Sequence, residues 1–96
     1  MLTGKQRSFL KGLAMKLEPA VFIGKAELTD NVLTEIDNYL TAHELVKVKI
    51  QEGSELEPKE AANQAAQKLG AEYVQAIGRR FVLYRASEEK KIQLPR

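Results

Sequence analysis

Residues Val21–Asp30, VFIGKAELTD, hold the joint that decides the fold. The short apolar run AVFI, beginning at Ala20, suits a strand buried on both faces. It ends on Gly24, Lys25 follows, and Thr29 or Asp30 then offers a side-chain oxygen to cap a helix. Val32, Leu33, Ile36, Tyr39 and Leu40 recur at helical spacing, with Glu35, Asp37 and Asn38 pointing outward. HELVKVKIQ, from His43, alternates instead. Val46, Val48 and Ile50 share one face, Lys47 and Lys49 the other, as in a strand with one wet face. Strand, helix and strand in succession predict a right-handed crossover with parallel pairing.

Upstream, Thr3 to about Lys16 reads as a helix. Thr3 and Gln6 have the spacing of a capping box, and Phe9, Leu10, Leu13, Ala14 and Leu17 form the apolar stripe. Gly12 costs roughly 1 kcal/mol against alanine in a helix interior and would let another backbone come close. Glu18-Pro19 ends the helix.

Downstream, EGSELEP is a polar loop, and Pro58 opens a third helix at its first position. Its buried stripe is thin: Ala61, Ala62, Ala65, Ala66 and then Leu69. Small side chains bring that helix close to the surface it covers. Gly70 is a C-terminal cap. YVQAI and FVLYR follow as strands joined at Gly78-Arg79, with glycine where a type II′ turn requires it. Phe81 and Leu83 fall on one face of the last strand and Val82 and Tyr84 on the other, so the hairpin is apolar on both faces. The order is α-β-α-β-α-β-β. It predicts a single compact α/β domain with a four-stranded mixed sheet and packed helices, spanning 1–96, with 87–96 as a less ordered tail.

Composition removes whole classes of function. The 96 residues contain no cysteine and one histidine, which excludes disulfides and Cys/His zinc sites. No apolar run approaches the roughly 20 residues that cross a bilayer. The basic, polar-interrupted N-terminus is a poor signal peptide. A soluble cytoplasmic protein is the expectation. The net charge of +2 is unevenly spread. Lys5, Arg7, Lys11, Lys16 and Lys25 face only Glu18 in the first 25 residues. Residues 27–60 are strongly acidic, and 79–96 are basic again. Two basic ends around an acidic middle would face a polyanion if the ends met in space; a solvated mixed surface is the plainer account.

The chemistry-bearing residues are few. His43 has no partner that would make it catalytic, and it sits where a helix hands over to a strand. The acids lack metal-loop spacing, and no Walker loop or G-x-G-x-x-G occurs. No catalytic residues, metal or cofactor are expected. Lys47 and Lys49 either protect a sheet edge or face RNA. Arg79 and Arg80, at the hairpin tip, suit phosphate contact. Gly24 could adopt backbone angles closed to other residues and let a ligand approach. Lys25 adds a charge to the N–H groups opening the second helix, which is a phosphate site in outline.

Five segments in order, LTGKQRSFLKGLA, VFIGKAELTDNVLTEID, HELVKVKI, AIGRRFVLYR and KIQLPR, resemble the CRM domain (chloroplast RNA splicing and ribosome maturation), in its stand-alone bacterial YhbY form. The resemblance covers nearly the whole chain. It implies an RNA-binding module associated with precursors of the large ribosomal subunit. It also implies a fold similar to the C-terminal domain of bacterial translation initiation factor three, and a KH-like G-x-x-G loop against the nucleic-acid backbone. The family loop continues with leucine and threonine. Gly24, Lys25, Leu28 and Thr29 fit it; the second glycine position holds Glu27, whose carboxylate should repel phosphate and whose side chain restricts the turn.

The reading is an RNA-binding protein, not an enzyme, that assists large-subunit assembly through phosphate contacts to structured rRNA. Its expected contacts are Lys5, Arg7 and Lys11 on the first helix, Gly24 and Lys25 in the loop, Thr29 as the cap that aims the helix N–H groups, and Arg79 and Arg80 at the hairpin. The expected state is a monomer off the membrane, with ribosomal proteins as further partners. The alternative is a protein-interaction module docking its acidic middle, Glu35 and Asp37 included, on a basic ribosomal protein. A small-ligand regulatory domain would need a pocket that no polar cluster marks.

Overall fold

The computed structural model describes residues 2–25 and 28–96. Three helices and four strands alternate as α1 (Gly4–Ala14), β1 (Val21–Ile23), α2 (Asp30–His43), β2 (Leu45–Ile50), α3 (Pro58–Leu69), β3 (Glu72–Ile77) and β4 (Arg80–Tyr84). Local signals set their ends. The Gln6 N–H donates to Thr3 Oγ1 and the Thr3 N–H to Gln6 Oε1, each at 3.1 Å, closing the capping box. Thr29, not Asp30, caps α2, accepting from the Val32 N–H at 3.2 Å. Pro58 opens α3, and Gly70 closes it in the left-handed region. Gly78, at φ 60°, starts the two-residue turn between β3 and β4.

The strand order in the sheet is β1-β2-β4-β3. β1 and β2 pair in parallel, through Phe22↔Lys49 and its neighbours. β4 inserts between β2 and β3 and pairs antiparallel with both. The second strand–helix–strand unit therefore joins strands that run the same way without pairing. An apolar β4 requires this place, since only an inner strand is covered on both sides. Its Phe81 and Leu83 enter the main core with Val46, Val48, Ile50, α2 and the alanine face of α3. Val82 and Tyr84 enter a second cluster with Leu10, Ala14, Leu45 and Val74 beneath α1.

Two expectations change. β1 is an edge strand, and Phe22 is 62% exposed between buried Val21 and Ile23, so AVFI is not covered on both faces. Gly12 is exposed, and a methyl group there would meet nothing within 4 Å among the described residues, so none of their backbone approaches it. Gly12→Ala should then raise unfolding free energy by about 0.5–1 kcal/mol, measured as a shifted urea midpoint at constant m-value. An unchanged midpoint would contradict this.

Residues 87–96 form neither helix nor strand. Ile92 and Leu94 pack on the second cluster. Gln6 Nε2 donates to the Pro95 carbonyl and Lys5 Nζ to that of Arg96, so α1 and the tail adjoin. α1 and the tail cover only part of their sheet face. The part bearing Phe22, Lys49 and Arg80 is left open.

Candidate nucleic-acid interface

Parallel pairing of β1 with β2, and the β3–β4 turn beside them, gather three connections at one end of the sheet. The β1–α2 loop carries Gly24 and Lys25. Both are exposed, and a methyl group on Gly53 of the β2–α3 loop would lie 3.8 Å from Lys25 Cε. Thr29 is spent on the Val32 N–H, and its carbonyl accepts from the Leu33 N–H at 3.0 Å. The N–H groups of Asp30 and Asn31 have no acceptor within the helix, which gives this terminus its partial positive charge. Glu27 lies outside the described residues.

Gly24 does not take a positive φ; Gly53, Gly70 and Gly78 do. A methyl group on Gly24 would meet Gln51 Oε1 at 3.5 Å, ordinary contact. Its value to a ligand is therefore the missing side chain, not a special backbone conformation.

The two hairpin arginines part company. Arg80 is exposed. Arg79 is half-buried and folds back: its Nη2 donates to the Gln51 carbonyl at 3.4 Å and to that of Ser54 at 3.0 Å. Its carbonyl accepts from the Ile50 N–H at 2.7 Å, and its buried Nε has no partner among the described residues. Arg79 thus pins the β2–α3 loop that flanks Lys25.

The basic residues of α1 lie elsewhere. Arg7 Nε donates to the Tyr73 carbonyl at the start of β3, the sheet end opposite Gly24. Lys5 also sits there, on the Arg96 carbonyl, while Lys11 is exposed in the last turn of α1. Lys5 and Arg7 are therefore separated from Lys25 by the length of the sheet. Lys47 and Lys49 are half-buried on an inner strand, which rules out edge protection as their role. Lys47 Nζ donates to the Leu17 carbonyl at 3.0 Å. Both rise from the open part of the sheet beside exposed Phe22. Nothing local in the sequence marks that grouping, because it depends on strand order.

His43 is exposed at the end of α2, its ring 4.3 Å from that of Tyr39. Among the described residues no group of three or more potential metal ligands occurs, and no helix is long and apolar enough to cross a membrane.

The described residues form a mixed four-stranded sheet with three helices, and its basic sheet surface beside the Lys25 loop gives the charge pattern of a domain suited to a polyanion. The chain belongs to the CRS1/YhbY (CRM) domain family, whose model matches residues 2–85. It is 51% identical over 96 residues to a Haemophilus influenzae protein named RNA-binding protein, covering 99% of this chain and 96% of that one. It is 38% identical to a Bacillus subtilis protein named as a probable RNA-binding protein, YqeI, over 99% of this chain and all of the relative. The solution structure of a Staphylococcus aureus protein described as a candidate RNA binder superposes with a TM-score of 0.84 at 40% identity, covering 99% of this chain and 100% of that one.

Proposed function

We propose that this protein is a single-domain cytoplasmic RNA-binding protein that associates with precursors of the large ribosomal subunit and assists their assembly. It binds as a monomer, through phosphates of structured rRNA, with shape rather than base identity setting the target. It acts by binding, not by catalysis. The observation that carries the reading is Lys25 in the loop that precedes the Thr29-capped α2, at the sheet end that also presents Lys49 and Arg80. Family membership supports RNA as the ligand; the resemblance to the YhbY group supports the ribosomal setting. Lys5, Arg7 and Lys11 extend the binding surface along a second side of the domain.

Lys25→Ala combined with Arg80→Ala should weaken binding to precursor rRNA fragments. The slope of log affinity against log salt should flatten by about one unit for each phosphate no longer neutralised. Arg80 is the better arginine for this test, because removing Arg79 would also free the β2–α3 loop. Unchanged affinity and slope would overturn the site. Absence of the protein from gradient fractions holding immature large subunits would overturn the assembly role.

A further inference from the structure

Phe22, Lys49, Arg80 and Ile77 form one row across all four strands, each the register partner of the next. At about 4.8 Å between strands the row is roughly 14 Å wide. Phe22 and Ile77 are 62% and 67% exposed at its two ends, with the two cations between them. The next row inward holds Lys47, Val82 and Gln75. Met15, 81% exposed at the end of α1, borders it and lines a shallow depression with Lys47, Gln75, Ile77 and Arg80. A second depression, at the other flank, is lined by Phe22, Gly24, Lys49 and Gln51 together with one acid, Glu52. Neither row contains an acidic residue.

We propose that this open half of the sheet is a stacking platform for an unpaired RNA segment, one base lying on the Phe22 ring and the adjoining phosphates held by Lys49 and Arg80. This rests on the RNA-binding reading above and specifies which part of the RNA the sheet takes. The mixture of residues selects the ligand. A duplex hides its base faces and offers only phosphates and groove edges, so it would leave Phe22 and Ile77 in water. An unpaired strand carries both a flat apolar face and a negative charge at each step, matching an aromatic ring beside a cation. A four-stranded sheet that stacks bases on aromatic side chains accommodates about two or three of them. Two copies of this chain meeting face to face would bring Lys47, Lys49 and Arg80 against like charges, which disfavours self-association.

The test uses the full chain with two probes, a twelve-nucleotide oligouridine and a blunt RNA duplex of twelve base pairs. Phe22 is exposed, so Phe22→Ala should leave the circular dichroism spectrum and melting temperature unchanged. It should lower affinity for oligouridine on the order of tenfold and leave duplex affinity within about twofold, since duplex binding rests on phosphates alone. Phe22→Trp introduces the sole tryptophan of the chain. Its fluorescence should be quenched by oligouridine and not by duplex. Equal weakening on both probes, or no weakening and no quenching, would overturn the platform while wild-type binding to rRNA upheld the broader reading. Wild-type protein binding neither probe nor precursor rRNA would overturn both. A dimer in sedimentation that Phe22→Ala dissolves would assign the face to a second copy and overturn the platform.

Discussion

Glu44→Ala is expected to destabilise the protein by about 3 kcal/mol and to free its C-terminal tail. Glu44 is the sole charged residue fully buried among those described, at 0% exposure. It closes α2 in the left-handed region, at φ 68°, so the chain turns sharply into β2 and swings its carboxylate inward. One oxygen accepts from the Ser87 N–H at 2.6 Å and the Ser87 hydroxyl at 2.7 Å; the other accepts from the Ile92 N–H at 2.6 Å. Removing it strands three donors, two of them backbone. Release of residues 87–96 to water then limits the loss. Urea unfolding and amide exchange at Ser87 and Ile92 would measure both effects. Native-like protection at those amides in the variant would refute the latch.

The same carboxylate makes stability pH-dependent. Burial pushes its pKa up, but the Ser87 and Ile92 donors, with the Lys91 backbone, outweigh burial and hold it below the ordinary 4.5. A carboxyl more acidic folded than unfolded stabilises the native state above its unfolded pKa. That contribution is lost as pH falls through the folded value. Glu44→Gln should lack this part of the acid-induced loss. It should also lower the Tyr84 pKa. Burial first, and then the Glu44 charge, raise that phenol above 10.0, and the substitution removes the charge. An unshifted Tyr84 titration would disconnect the two groups.

Glu44 shows what the sequence could not disclose. Among the acids of residues 27–60 it carries no local mark, because its partners lie more than 40 residues away. The helix ends were legible because their partners sit within a turn: Thr3 with Gln6, Thr29 with Val32, Pro58 and Gly70 by their own backbone preferences. α/β class and strand count followed from periodicity. Strand order did not, and everything that depends on it was hidden. β4 had to move between β2 and β3 before Lys47 and Lys49 became inner-strand residues, Phe22 an edge aromatic, and Arg79 the clamp of a neighbouring loop. Of the candidate site, Lys25 and the cap behind it were legible from adjacent residues; the row of Phe22, Lys49, Arg80 and Ile77 was not, since its members come from four strands.

Arg85→Ala is the second large effect, at about 2–3 kcal/mol of destabilisation. Its guanidinium ties both helices of the main core to the end of β4. One nitrogen donates to Asp37 Oδ1 at 2.7 Å and the Leu69 carbonyl at 2.8 Å; the other donates to the Asp37 carbonyl and the Thr41 hydroxyl, each at 3.0 Å. The Leu69 carbonyl belongs to the last turn of α3, where a cation also offsets the helix dipole. The Asp37–Arg85 pair is partly wet, with Asp37 46% exposed, which places the figure below that of a buried pair. Arg85→Lys should recover little, because an ammonium cannot span four acceptors on two helices. Thermal unfolding of the three proteins would measure the order; a lysine variant as stable as wild type would refute the fork. The consequence reaches function. Asp37 serves the fold, so Asp37→Lys would disrupt binding of any partner by loosening α2 from α3. Docking of the acidic middle on a basic protein must therefore be tested at Glu35, which is exposed on α2. Glu35→Lys should leave both stability and rRNA binding unchanged if phosphates are the ligand, whereas abolished ribosomal association with rRNA affinity intact would establish the protein-docking alternative.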